Sequence, residues 1–340
     1  VYVLELGGED DAFAACEAAS AASGVERIAP GLAVADAVAP ERVRGLAYTH
    51  RASDLLARTD ADLESARLAL EAATAGADRT GSIAVRATDV HGSSSVSTGD
   101  TERVLGSVLV DRGFEVDLES PDHVLRAAFS EGDLEGEAVS VCTLGWLVSE
   151  SVRDFGSRRP TDKPFFQPGS MDPLLARAVA NVAGARPGRT VLDPMCGTGG
   201  VLVEAGLLGA DVIGTDAQEP MVRGARENLD HYLEGTTPTG VQSGTYRLAR
   251  ADATRLPLAD GVVDGVVFDA PYGRQSKIAT HGLEGLVAGA LSETRRVADR
   301  AVVVADRSWV DVAREAGWEL EAAFERRVHR SLTRHVLVLG

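Results

Sequence analysis

"TVLDPMCGTGGVLVEAG", residues 190–206, sets a short apolar run against a glycine-rich turn and then a second apolar run. The first run stops at Asp193, as a buried strand stops, and the second is long enough for a helix. Gly197 and Gly199, either side of Thr198, let the backbone come close to a ligand at the carboxyl end of the strand. A dinucleotide is one ligand that such a turn serves. The spacing G-x-G-x-x-G fails here, because Leu202 stands where the last glycine belongs. Asp193, just ahead of the glycines, would repel a phosphate and suits a cationic ligand with a free amine.

The pattern repeats downstream. "DVIGTD" puts Asp216 at a strand tip about 20 residues past the turn, where a carboxylate accepts both hydroxyls of a ribose. "TYRLARAD" leads to Asp252 and Ala253, with Asp252 placed to accept from an adenine amino group. "GVVFDAP" ends on Asp269, Ala270 and Pro271, and Tyr272 follows. "RAVVVAD" reads as a fifth strand, and "WELEAAFERRVHR" with "SLTRHVLVLG" reads as a hairpin added at the sheet edge. Strands alternating with helices predict a parallel sheet covered on both faces. Four strands that each deliver an acid to one edge, beside a glycine turn, define a site for a ribose and an amine.

The bulk numbers bound the rest. With 340 residues, 44% of them apolar, the chain has room for two domains. No apolar stretch is long enough for a membrane helix, and "VYVLELGGEDD" at the start lacks the basic region and cleavage pattern of a signal peptide. Cys16, Cys142 and Cys196 are scattered without Cys-x-x-Cys spacing, which predicts no metal site and fits a reducing cytoplasm. The formal net charge is -17, and Lys163 and Lys277 are the only lysines. A GC-rich genome would favour such a composition; so would life in high salt, where a dense acidic surface stays hydrated, and the second reading is preferred.

Residues 1 to about 145 mix strands ("VYVLEL", "GSIAVRAT", "EAVSVCTLGWLV") with helices ("DLESARLALEAATAG", "TERVLGSVLVDRG"). "FEVDLESPDHVLRAAFS" reads as two strands joined by a Pro-Asp turn. His50, His91 and His123 are isolated, so this half offers no clustered catalytic group. A proline-rich joint follows, and Asp172 caps the helix "PLLARAVANVAG" with Pro173 at its first position.

These residues carry a resemblance. "LDPMCGTGG" resembles the cofactor loop of class I S-adenosylmethionine-dependent methyltransferases, and "FDAPYG" resembles the Asp/Asn-Pro-Pro-aromatic motif of enzymes that methylate exocyclic amines of bases. "RRPTDKPFFQPGSMDPLLARAVAN" and "RRVHRSLTRHVLVL" resemble the archaeal tRNA guanine-N2 methyltransferases acting on position 10. "GFEVDLESPDHVLRA" looks like the end of a THUMP RNA-binding domain. The resemblance implies a ferredoxin-like segment at 1–50, a THUMP domain at 51–148, a linker at 149–170 and a Rossmann-like, seven-stranded α/β methyltransferase domain at 171–340. It implies S-adenosylmethionine as cofactor and tRNA as partner; eukaryotic relatives imply a small zinc-binding activator protein as well.

A base's exocyclic amine is a poor nucleophile because its lone pair is delocalised into the ring. Two acceptors for its N–H bonds, the Asp269 carboxylate and the Ala270 carbonyl, would align it, with Asp269 taking the proton. Pro271 steers Ala270 out of the helical region, and Tyr272 offers a stacking face. Ala270 stands where the family often has proline. The motif alone leaves adenine and guanine open, and the family resemblance favours guanine. A non-catalytic RNA-binding protein on this fold is the remaining rival, disfavoured by the intact Asp269 and Tyr272. For RNA contact, "FERRVHRSLTRH" at 324–335 holds Arg326, Arg327, Arg330 and Arg334 against one acid. Arg153, Arg158, Arg159 and Lys163 form a second cluster at the joint, and Arg274 follows the amine motif.

Overall fold

Seven strands of the C-terminal half join in one sheet: β1 Thr190–Asp193, β2 Asp211–Asp216, β3 Tyr246–Arg250, β4 Gly265–Asp269, β5 Ala301–Ala305, β6 Leu320–His329 and β7 Leu332–Leu339. The structure is a computed structural model and describes residues 1–76, 79–271, 282–329 and 332–340. Across the sheet the order is β3-β2-β1-β4-β5-β7-β6. Strands β1 to β5 run parallel, and β7 is antiparallel to both β5 and β6. The hairpin expected at the edge is therefore present, with β7 inserted against β5 and β6 outermost. The chain moves outward from β1 to β3 and then returns to lay β4 on the other side of β1. That reversal opens a crevice at the carboxyl ends of β1 and β4, where α/β sheets bind ligands.

Helices α1 Pro173–Val182, α2 Gly200–Leu207, α3 Glu219–Tyr232, α4 Leu283–Val297 and α5 Val310–Glu315 accompany this sheet. Val266, Val267 and Phe268 of β4, and Val302, Val303 and Val304 of β5, are fully buried. Burying such side chains stabilises by about 1.5–3 kcal/mol each, which is why the central strands read as unbroken apolar runs. Asp172 caps α1 as expected, accepting from the Leu174 N–H at 2.9 Å, with Pro173 first in the helix.

The chain divides into two units, Val1–Ser151 and Val152–Gly340. An eight-stranded sheet organises the first, and the boundary expected at residue 50 falls inside one of its strands, Thr49–Thr59. That strand pairs with Tyr2–Leu6 on one side and Glu137–Glu150 on the other, so residues 1–50 and 51–148 share one sheet. The strands either side of the Pro-Asp turn, Glu115–Val116 and His123–Leu134, do not pair with each other. Both lie parallel against Ser82–Asp89, between them in the sheet. The linker expected at 149–170 is also redrawn: Ser149 and Glu150 finish a strand, and residues 152–170 belong to the second unit. No described helix is long and apolar enough to cross a membrane.

Candidate active site

The glycine turn depends on two positive φ angles. Gly197 has φ 49° and Gly199 has φ 75°, a conformation side chains rarely adopt. Gly199 also touches α3, since a Cβ there would lie 3.2 Å from the Ala225 Cβ. A Cβ on Gly197 would meet nothing within 4 Å, so the turn faces open space at that point.

Asp216, at the tip of β2, fastens this turn. Its Oδ2 accepts the Gly197 N–H at 3.1 Å and its Oδ1 accepts the Gln218 N–H at 2.8 Å. Each oxygen keeps a further lone pair for a hydroxyl donor. Asp193, at the tip of β1, is buried and accepts the Met195 N–H at 3.0 Å. Burial pushes the Asp193 carboxyl well above the usual carboxylate range; the Met195 bond opposes the rise, and the charges of Asp269 and Asp216 add to it. Burial also raises Asp216, against its two backbone hydrogen bonds. Asp252 holds its own turn, its Oδ1 accepting from Thr254 at 2.9 Å (N–H) and 2.8 Å (hydroxyl), and Ala253 beside it is buried. Ala270 is buried and donates its N–H to the Val304 carbonyl at 2.7 Å, which ties the amine motif to β5.

This donor set fits S-adenosylmethionine. Mutually repelling acids raise the cost of ionisation, and a sulfonium and an ammonium nearby would relieve it. The open face of Gly197 leaves room for a ligand against the backbone.

The eight candidate RNA contacts separate. Arg159 and Arg327 are exposed and Arg326 is half-buried. Arg158, Lys163 and Arg334 are not available for phosphates, because each is at least nine-tenths buried. Arg158 donates to both Glu204 oxygens (2.7 and 3.3 Å) and both Asp154 oxygens (2.7 and 2.8 Å). Burial alone would lower its pKa, but the bonds and charges of Asp154 and Glu204 raise it. Arg334 reaches from β7 to within 3.7 Å of Asp269 Oδ2. Tyr272, Arg274 and Arg330 lie outside the described residues.

Several structural partners of the site had not been singled out in the sequence. Glu204 of α2 is buried and also pairs with Arg177 of α1 at 2.8 Å. Arg153, Arg158 and Arg177 stand over the Phe155 ring at 5.1, 5.7 and 5.5 Å. Asn228 of α3 donates to the Thr198 carbonyl at 2.8 Å and exchanges two 2.9 Å bonds with the Phe165 backbone. Ser170 and Thr198 share a hydroxyl contact at 3.2 Å. The joint segment is thereby strapped across the glycine turn. The sequence signal was a lone acid in "VLVEAGL" and a lone arginine in "LLARAVANV", each a charge in an apolar helix. Among the described residues there is no cluster of three metal-ligating side chains.

A seven-stranded sheet in this order, with a glycine turn and acids on successive strand tips, defines a methyltransferase domain, and residues 160–336 match the family described as RMKL-like, methyltransferase domain. The chain is 34% identical over 300 residues to the tRNA (guanine(10)-N2)-dimethyltransferase of Methanothermobacter thermautotrophicus, covering 86% of this chain and 83% of that protein. It is 30% identical to the Methanocaldococcus jannaschii enzyme of the same name, covering 77% and 71%. It belongs to this S-adenosylmethionine-dependent family of tRNA guanine-N2 methyltransferases. Among solved structures, TrmN from Thermus thermophilus aligns over 100% of this chain and 99% of its own, at 24% identity and a TM-score of 0.48.

Proposed function

We propose that this protein methylates the exocyclic 2-amino group of a guanosine in tRNA, at position 10. The observation that carries the reading is the meeting of Asp269 and Ala270, at the end of β4, with Asp193 and Asp216 beside the glycine turn. Bound S-adenosylmethionine supplies an electrophilic methyl group on its sulfonium. Asp193 and Asp216 hold the cationic and ribose parts of that cofactor, and Asp252 with Ala253 receives its adenine.

Asp269 accepts one N–H of the guanine amine and the Ala270 carbonyl accepts the other, which fixes the nitrogen for in-line attack. Asp269 would take the proton as the N–C bond forms and the methyl–sulfur bond breaks, leaving a neutral thioether, since the amine becomes acidic only on alkylation. Arg334 holds that carboxylate in place. The monomethylated amine still has one N–H for Asp269, so the same groups serve a second methylation. Tyr272 stacks on the base, and Arg159, Arg326 and Arg327 meet the tRNA backbone.

Asp269→Ala tests the reading. Single-turnover methylation of tRNA should fall by at least about 100-fold, equal to roughly 2.7 kcal/mol of barrier, while affinity for S-adenosylhomocysteine changes little. A near-normal rate would remove the amine site from this stretch. Mass spectrometry of the product nucleosides identifies the base and counts the methyls. Repeating the assay with and without a small zinc-binding activator protein tests that partner.

A further inference from the structure

Asp269 of β4 lies beside Val304 of β5, and Val304 lies beside Val336 of β7. Arg334 is two residues before Val336, so it stands on the same face of the sheet, just past the row that holds Asp269. Its cross-strand neighbour on β6 is Arg326, a like charge that gives it no support. Arg334 is 5% exposed, and a buried guanidinium needs an anion. Asp269 supplies one, its Oδ2 lying 3.7 Å from the Arg334 Nη2. That is a charge contact, longer than a hydrogen bond, so it uses none of the lone pairs of Oδ2. The Asp269 side chain remains 21% exposed, whereas Ala270 is buried and tied to β5 by its N–H. A carboxylate thus stands at the amine motif with one oxygen steered by a fixed arginine and part of its surface open to a ligand.

We infer that Asp269 also selects the base: its second oxygen accepts the N1–H of guanine while the first accepts an N–H of the 2-amino group. Arg334 is the positioning residue that holds this second oxygen toward the ring. The selection rests on the amine reading of the motif and adds the choice between guanine and adenine that the motif by itself leaves open. In guanine the 2-amino group is flanked by N1–H, so two donors point side by side, the pattern a carboxylate accepts with both oxygens. In adenine the 6-amino group is flanked by N1 with a lone pair, which an anionic oxygen repels. Held in an ion pair, Asp269 is an acceptor at both oxygens and has no proton to offer that lone pair. The Ala270 carbonyl takes the other amine N–H, so the contact at N1 comes in addition to those that align the nitrogen. Adenine loses one hydrogen bond and sets a lone pair against a carboxylate oxygen, a mismatch that polar sites reject strongly.

Methylation kinetics of the full chain on two tRNA substrates test the selection. One carries guanine at the modified position; the other carries 2,6-diaminopurine, which has the same 2-amino group but a lone pair at N1. The wild type should favour guanine by at least about 100-fold in kcat/KM. Asp269→Asn turns the acceptor opposite N1 into a donor. It should lower the rate on guanine and shrink the ratio by at least about tenfold, since the amide N–H matches the lone pair. Arg334→Met keeps the carboxylate and should also shrink the ratio, whereas loss of a purely structural arginine lowers both rates alike. Equal wild-type rates on the two substrates would overturn the inference. So would a ratio that Asp269→Asn leaves unchanged, which places the discrimination at another atom of the base. Absence of 2-methylated guanine from the wild-type reaction would overturn the amine reading itself, and the selection with it.

Discussion

Asp193→Asn separates what this acid costs the fold from what it gives the ligand. The carboxylate is 3% exposed and has one hydrogen bond among the described residues, from the Met195 N–H. Burial first, then the Asp269 and Asp216 charges, hold its folded-state pKa above the unfolded value, against the pull of the Met195 bond. The folded chain therefore grips this proton more tightly than the unfolded chain does. The associated stability is present below the unfolded carboxyl pKa, about 3.9, and is lost as pH rises through the folded one. Above that window the ionised group is a net burden. Burying it costs several kcal/mol, and one charge-assisted hydrogen bond returns about 1.5–3 kcal/mol, leaving a deficit of about 2 kcal/mol.

The neutral and nearly isosteric Asn should recover that deficit. Thermal unfolding of the ligand-free protein at pH 8 should then shift upward by about 4–8 °C for a unit of this size. The gain should shrink as pH falls and vanish only below about pH 3, where the wild-type acid is protonated in both states. Affinity for S-adenosylmethionine should fall in the variant. In the wild type it should rise with pH through the titration of Asp193, because a cation favours the ionised acid. A ligand-free Asn variant less stable than the wild type at pH 8 would refute the burial argument, and undiminished cofactor affinity would refute the functional one.

Glu204→Ala should destabilise the second unit by about 3–5 kcal/mol in urea denaturation, because it strips the buried Arg177 and Arg158 of a shared counter-charge. Glu204→Gln, which keeps the shape and one acceptor, should cost less. Arg334→Met should lower the single-turnover rate at least about tenfold with little change in affinity for S-adenosylhomocysteine, and Arg334→Lys should restore part of it; an equal loss of cofactor affinity would make Arg334 a general scaffold residue. Replacing Arg326 and Arg327 together by Gln should reduce the slope of log tRNA affinity against log salt by about 1.5, from two phosphate contacts at roughly 0.7–0.9 each.

The second unit was legible because its central strands, β4 and β5, are buried on both faces, so "GVVFDAP" and "RAVVVAD" carry their assignment within a few residues. The first unit was less so. "THRASDLLART" lacks a clean alternation, and what makes it one strand is pairing with Tyr2–Leu6 and Glu137–Glu150, one far before it and the other far after it in the chain. The strand-tip acids were legible for a similar local reason, since each ends an apolar run. The joint's cations were not. Counting Arg158, Arg159 and Lys163 as one basic cluster treats charge as a surface property, yet Arg158 meets Glu204 across 46 residues and turns inward, while Arg159 beside it is exposed. The information that separates the two lies in the helices. An isolated acid in "VLVEAGL" cannot remain in an apolar helix without an opposite charge brought from another segment, and an isolated arginine in "LLARAVANV" makes the matching demand. Two helix charges of opposite sign can satisfy each other. The joint's arginine then enters as a third member, bringing Asp154 as its own counter-charge, and that balance draws Arg158 inward.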